Sequence, residues 1–457
     1  MENNRVHFIA IGGSAMHNLA IALHLKGYNV TGSDDEIFDP ARARLDSYGL
    51  LPDEFGWFPE KLDKSIDSII LGMHARGDNP ELAKAKELGL KVYSYPEFLY
   101  EQSKDKLRVV IGGSHGKTSI TAMILHVLHF CNVDTDYMVG AKLEGFDVMV
   151  RLTEEAKVMV FEGDEYLTSA LDLRPKFHLY KPDIALVSGI AWDHMNVFPT
   201  FENYIEQFRI FIKMIPDSGA LIYCTEDPEV REAVDSVDGK MKKLPYGVPP
   251  HHVLKGKTIL STQEGEFVLK IFGQHNLMNL EGARLVCNQL NISNSDFYQA
   301  ISTFKGASNR LELIAEKPGF NAYRDFAHAP SKLKATIQAA KEQFPDRRLV
   351  ACFELHTFSS LNKDFLDQYA DSMEKADEAI VYFSPHALEL KKLPMLSPED
   401  IIHAFRKKGL VIFSETNQFQ LHLRKEKWEN SNLLLMSSGN FDGLQLKQFA
   451  ERLYSED

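Results

Sequence analysis

The sequence predicts an α/β protein of three consecutive domains. Three observations predict it. The chain has 457 residues, more than one hydrophobic core usually organises. Short apolar runs alternate with helical segments, the pattern of parallel sheets built from βαβ units. The alternation also restarts twice, once after the charged stretch Glu101-Gln102-Ser103-Lys104-Asp105-Lys106 and again near Arg310. The expected divisions are 1–105, 106–308 and 309–457, the outer two Rossmann-like and the central one P-loop ATPase-like.

In the first division, VHFIAIG reads as a buried strand, HNLAIALHLKG as a helix closed by Gly27, and YNVTGSD as a second strand. SIDSIILG is a third strand, and the helix ELAKAKELG leads into a fourth, LKVYSYP. The second division opens with the strand LRVVIGG and a helix starting near Lys117, continues through AKVMVFE and PDIALVSGI, and ends around FKGASN. The third carries NAYRDFA, RRLVACFEL, DEAIVYF and NLLLMSS between helical segments.

Composition narrows the function classes. Hydrophobic residues make up 44% and charged residues 25%, an ordinary globular mixture. A net charge of −13 disfavours nucleic acid as a partner, since such binders present a basic face. No apolar stretch reaches the roughly 18 residues of a membrane span, and the start MENNRVHFIAIGG lacks the regions of a signal peptide. Cys131, Cys224, Cys287 and Cys352 are scattered, without metal or redox spacing, as in the reduced core of a cytoplasmic protein.

The strongest motif is Gly112-Gly113-Ser114-His115-Gly116-Lys117-Thr118-Ser119, between an apolar strand and a helix. Glycines there let backbone N–H groups turn towards phosphate oxygens, and the helix N-terminus adds partial positive charge. Lys117 would meet the terminal phosphates and Thr118 would ligate Mg²⁺. Ile111 stands where the usual spacing has its first glycine. Downstream, VMVFE runs into Glu162-Gly163-Asp164-Glu165-Tyr166, and a later strand into Ala191-Trp192-Asp193-His194-Met195. Carboxylates at a strand's carboxyl end suit Mg²⁺, and His194 can take a second metal or orient a phosphate. A solvated acidic loop explains either motif alone, but not both in order behind a phosphate loop.

Near the N-terminus, Ile11-Gly12-Gly13-Ser14-Ala15-Met16 is a degenerate dinucleotide fingerprint, with Asp34 at the end of the second strand, where a ribose is held. Alone it supports a nicotinamide-dependent oxidoreductase, and strand-against-helix packing explains its small residues almost as well. His74-Ala75-Arg76 occupies the third-strand loop.

The ordered set of motifs resembles the Mur ligases: GSHGKTS, EGDEY, DHM, Gly273-Gln274-His275-Asn276-Leu277-Met278-Asn279, Asn309-Arg310-Leu311-Glu312 and Asp325-Phe326-Ala327-His328-Ala329-Pro330. The resemblance implies an ADP-forming ligase that binds a UDP-sugar in the first domain, ATP in the second and an amine in the third. It implies Lys117 on the β/γ-phosphates, Thr118 and Glu162 on Mg²⁺, and His194 on a second metal. Asn276 and Asn279 would meet the adenine side, and Arg310 and Asp325 the γ-phosphate and ribose. The loop of Gly12, Gly13, Ser14 and Met16 resembles those of the muramate-binding members, so it would face UDP-N-acetylmuramate together with Asp34, His74 and Arg76. The segment Asp172-Leu173-Arg174-Pro175-Lys176-Phe177 resembles the branch that adds the tripeptide L-alanyl-γ-D-glutamyl-meso-diaminopimelate, rather than the branch that adds L-alanine. Arg174, Lys176, His328 and His356 are then expected at the amine substrate, with Thr357 and Ser359 able to bond a peptide. Arg324 and Ala329 depart from the family motif, and Glu354-Leu355-His356-Thr357-Phe358-Ser359-Ser360 lacks the arginines of the alanine-adding branch.

Overall fold

The computed structural model describes residues 4–453 except His74, Lys142, Glu144, Ala170, Leu171 and 193–196. It has the three-domain α/β architecture, with one sheet per domain and a small additional sheet. In the first sheet the strands lie in the order Asn29–Ser33, Arg5–Ile9, Ser68–Leu71, Lys91–Ser94, all parallel. Ile70 faces one apolar cluster while Ile69 and Leu71 face another, as the two-residue period of a strand requires.

The helix Ser14–Leu25 ends in a turn completed by Gly27 at φ +95°, and Pro80–Leu88 is closed by Gly89 at φ +71°. Asn79 starts the latter helix by accepting the N–H groups of Glu81 and Leu82 at 2.9 and 3.1 Å. A cap of this kind contributes about 1 kcal/mol.

The second sheet runs Lys242–Tyr246, Ala220–Cys224, Ile184–Val187, Leu107–Gly112, Val158–Glu162, Thr135–Met138, Val150–Arg151, parallel except for the last strand. Val109, Val110 and Ile111 are completely buried, as a central strand covered on both faces must be. Lys242–Tyr246 was not evident from the sequence. Its two lysines and Pro245 suit an edge strand and read locally as a loop.

The C-terminal sheet runs Glu312–Lys317, Phe320–Asp325, Ser431–Met436, Arg348–Leu355, Glu378–Phe383, Val411–Phe413, with only the first strand antiparallel. Leu349, Ala351 and Phe353 feed the core on one face, and Val350 and Cys352 the core on the other.

The chain gathers into two compact units, Met1–Val248 with Met278–Ile301, and Pro249–Leu277 with Ser302–Asp457. The second includes the antiparallel sheet His251–Leu254, Lys257–Thr262, Gly265–Leu269, also unexpected from the sequence. Gln343, at the end of helix Pro330–Gln343, joins that sheet to the C-terminal one. It accepts the Thr258 hydroxyl at 2.9 Å and donates to Gly256 O at 2.7 Å. Among the described residues no helix is long and apolar enough to cross a membrane. The four cysteines are free thiols, three of them buried.

Candidate active site

The phosphate loop sits between strand Leu107–Gly112 and helix Lys117–Phe130. Two of its glycines are obligatory. Gly113 has φ +128°, and a Cβ there would lie 2.2 Å from Ser188 Oγ. Gly116 has φ +80°, and a Cβ there would lie 2.4 Å from Asn279 Oδ1. Any side chain meets both backbone strain and a neighbour already in place. Asn279 thus packs its carboxamide on the loop, from helix Gln274–Gln289. His115 O accepts the Ser188 hydroxyl, and Ser119 is buried in the helix's first turn.

Two ion- or hydrogen-bonded pairs organise the chemistry. Lys117 Nζ lies 2.6 Å from Glu165 Oε2 and 2.6 Å from Gly113 O. Burial would lower the Lys117 pKa, but Glu165, with Asp164 and Glu162 behind it, outweighs that and holds the ammonium above its ordinary range. Thr118 Oγ1 donates to Glu162 Oε1 at 2.6 Å, and Glu162 Oε2 accepts Gly140 N–H at 2.9 Å. Glu162 ends its strand and Thr118 lies in the first turn of its helix, so two hard oxygens meet that could hold a divalent ion. His194 lies outside the described residues. Glu165 belongs to the acidic motif, yet the sequence did not single it out. Its pairing with Lys117 depends on a contact between residues 48 apart.

Arg174 and Lys176 are committed elsewhere than expected. Arg174 is mostly exposed and paired with Asp172 at 2.6 Å and Glu97 at 3.3 Å. Lys176 Nζ lies 2.6 Å from Asp164 Oδ2. Burial would raise the Asp164 pKa, and Lys176, aided by Lys117, reverses that and lowers it. Both basic residues are satisfied by carboxylates within their own unit, which weakens the motif argument that they await a tripeptide.

In the first sheet, Asp34 Oδ2 accepts Gly12 N–H at 2.7 Å. A Cβ on Gly12 would lie 2.9 Å from that oxygen. Burial raises the Asp34 pKa to about 6, opposed by Gly12 N–H and reinforced by Asp35. The carboxylate expected at a ribose therefore also braces its own loop. Gly13 caps helix Ser14–Leu25, Ser14 is exposed and Met16 is buried beneath. Arg76 is exposed, and His74 lies outside the described residues.

In the second unit, Asp325 is buried and accepts Leu311 N–H at 2.6 Å and Ala327 N–H at 2.7 Å. Burial raises its pKa, with Arg310 and these donors opposing. Asp325 thereby fixes the backbone beside Arg310, whose guanidinium lies 4.7 Å from the Phe326 ring centre. Asn276 is buried and donates to Phe272 O at 3.0 Å, a helix-start contact. His328 Nδ1 lies 2.9 Å from Phe326 O. Half-exposed His356 lies 3.7 Å from buried Glu354, at the carboxyl end of strand Arg348–Leu355. Thr357 caps the next short helix by accepting Ser360 N–H at 3.1 Å.

Three family models match in succession: the Mur ligase family catalytic domain over residues 5–106, the Mur ligase middle domain over 111–287 and the Mur ligase glutamate ligase domain over 309–439. The chain is 31% identical over 398 residues to the UDP-N-acetylmuramate–L-alanine ligase of Limosilactobacillus reuteri, covering 83% of this chain and 85% of that protein. Among solved structures, a murein peptide ligase from Psychrobacter arcticus superposes with a TM-score of 0.62 at 22% identity, covering 99% and 100% of the two chains. The UDP-N-acetylmuramate-alanine ligase of Thermotoga maritima gives a TM-score of 0.70 at 18% identity, covering 98% of each. At these identities both structures speak for the fold. The nicotinamide alternative accounted for the first hundred residues only, whereas these matches run almost end to end. The chain belongs to the Mur ligase family and is an ATP-dependent, ADP-forming ligase that makes an amide bond.

Proposed function

We propose that this ligase joins the lactyl carboxylate of UDP-N-acetylmuramate to the amine of L-alanine, in the cytoplasm, with Mg²⁺ bound beside ATP. The observation that carries the substrate reading is the 31% identity to an L-alanine ligase across 83% of the chain. It favours L-alanine over the tripeptide expected from the motifs. Divisions near residues 105 and 308 would separate the sugar, nucleotide and amine functions.

A carboxylate resists attack by an amine until one oxygen becomes part of a leaving group. Phosphorylation by ATP would supply an acyl phosphate, and the amine would then expel phosphate. The demand on the protein is positioning and charge. Lys117 would hold the terminal phosphates, with Gly113, Ser114, His115, Gly116 and Ser119 shaping the loop around them. Thr118 and Glu162 fit a hard divalent ion, which would neutralise phosphate charge. His194 is proposed as a further metal ligand. Asn276, Asn279, Arg310 and Asp325 are proposed for the nucleotide, and Gly12, Gly13, Ser14, Met16, Asp34, His74 and Arg76 for the UDP-sugar.

A second reading, the tripeptide as amine, is favoured by two observations. Residues 172–177 follow the tripeptide-adding pattern, and the segment around His356 has no arginine to clamp a lone amino acid carboxylate. Under it, Arg174, Lys176, His328 and His356 would contact the peptide. Phosphate release with ATP, Mg²⁺ and UDP-N-acetylmuramate should be measured with L-alanine and with the tripeptide in parallel. A higher kcat/KM for L-alanine is expected. Preference for the tripeptide would replace the first reading by the second, and release with neither would overturn both.

A further inference from the structure

We infer that Tyr204 is a positioning residue for the phosphate loop, tying Ser114 to the carboxylate that holds Lys117. Tyr204 lies in the first turn of helix Phe201–Lys213, whose start is capped by Thr200 through Asn203 N–H. Its ring is completely buried, 5.2 Å from Phe198 and 5.3 Å from Phe208 between centroids. A phenol carried so deep must satisfy its hydroxyl within the protein. It does so between two parts of the active site. The oxygen lies 2.8 Å from Ser114 Oγ, and the hydroxyl donates to Glu165 Oε1 at 3.3 Å.

Counting donors gives the chain a direction. The Glu165 carboxylate only accepts, so the single Tyr204 hydrogen goes to it. The Tyr204 oxygen then accepts from the Ser114 hydroxyl. Ser114 Oγ in turn accepts Ala191 N–H at 2.8 Å. Glu165 thus takes Tyr204 on one oxygen and Lys117 on the other. Four segments meet in this relay: the phosphate loop, the acidic loop after strand Val158–Glu162, the loop after Ile184–Val187 and the helix carrying Tyr204. With Ser114 and Glu165 both buried, no water need compete for these bonds. Removing the phenolic oxygen would leave Lys117 as the side-chain partner of Glu165 among the described residues, and would take from the Ser114 hydroxyl its acceptor while Ala191 N–H stays on its oxygen.

The inference rests on the ATP-dependent reading of this site and can be tested by ATP binding as well as turnover. Tyr204→Phe keeps the ring and deletes the oxygen. Ile205→Ala, on the same helix, removes buried apolar packing and serves as the control for stability. Equilibrium binding of ATP, binding of UDP-N-acetylmuramate, thermal midpoints, kcat and KM should be measured for the intact protein and both variants. Tyr204→Phe should weaken ATP or raise its KM on the order of tenfold, leaving the UDP-sugar affinity unchanged. Ile205→Ala should lower the midpoint without moving ATP affinity. Unchanged ATP binding and kinetics in Tyr204→Phe, or equal ATP losses in both variants, would overturn the inference. Should the intact protein bind ATP yet release phosphate with neither amine, the substrate reading fails and ATP binding still decides the role of Tyr204.

Discussion

The Lys117 ammonium stands at the phosphate loop, and Glu165 favours its protonated form. Lys117→Ala should lower kcat by at least ~100-fold, the scale of losing a principal charge stabiliser. UDP-sugar binding should survive, because the site proposed for it belongs to another sheet. Near-normal turnover would remove the loop from the mechanism. Asp34 gives a pH prediction. Its folded pKa of about 6 lies above the ordinary carboxylate value, so its stabilising contribution is complete at low pH and lost as pH rises through 6. Above that, the ionised carboxylate costs up to about 3 kcal/mol. Asp34→Asn should therefore gain thermal stability relative to the unchanged protein between pH 4.5 and 7, then hold that gain. A difference that is flat across this range would show that the Asp34 environment does not disfavour charge.

At the scale of elements, strands end and helices begin where the reactive side chains stand. Gly116→Ala forces a left-handed residue against Asn279, a strain of ~1–2 kcal/mol before any repacking. ATP affinity should fall, and an isothermal titration matching the unchanged protein would contradict the geometry. The segment 172–177 behaves differently. Arg174 is 58% exposed and shares Asp172 and Glu97 as partners, so Arg174→Ala should change stability by less than ~1 kcal/mol. Denaturation curves displaced by more would mean the pair carries a load its exposure does not suggest. The loop glycines, the strand VVIG and the acidic motif were legible because local backbone need and chemistry coincide there. The pairing of Glu165 with Lys117, and the parts played by Ser188 and Tyr204, were not, because each depends on a neighbour distant in sequence.

For the whole molecule, the unexpected antiparallel sheet is the informative case. It is stitched to the C-terminal unit through Gln343, whose side chain is nearly inaccessible. Gln343→Ala should cost ~1–3 kcal/mol by leaving Gly256 O and the Thr258 hydroxyl without that partner. The loss should appear in thermal unfolding while the ATP affinity of the first unit's phosphate loop is retained. Unaltered unfolding would mean the small sheet is held by its apolar contacts alone.

By itself the sequence determined the α/β class, the parallel central strands, the phosphate loop and the family, because apolar periodicity and motif order are local properties of the chain. It also placed Arg174 and Lys176 at the amine substrate, since their charge pairing is not visible until Asp172, Glu97 and Asp164 are brought beside them. Tertiary structure alone decided that the acidic loop supplies the lysine's counter-charge, through Glu165. It also decided that a helix 90 residues beyond Ser114 reaches back to the phosphate loop. The physical reason is that a buried polar atom must find its partner wherever folding places one, and that partner's position is set by sheet order rather than by sequence spacing.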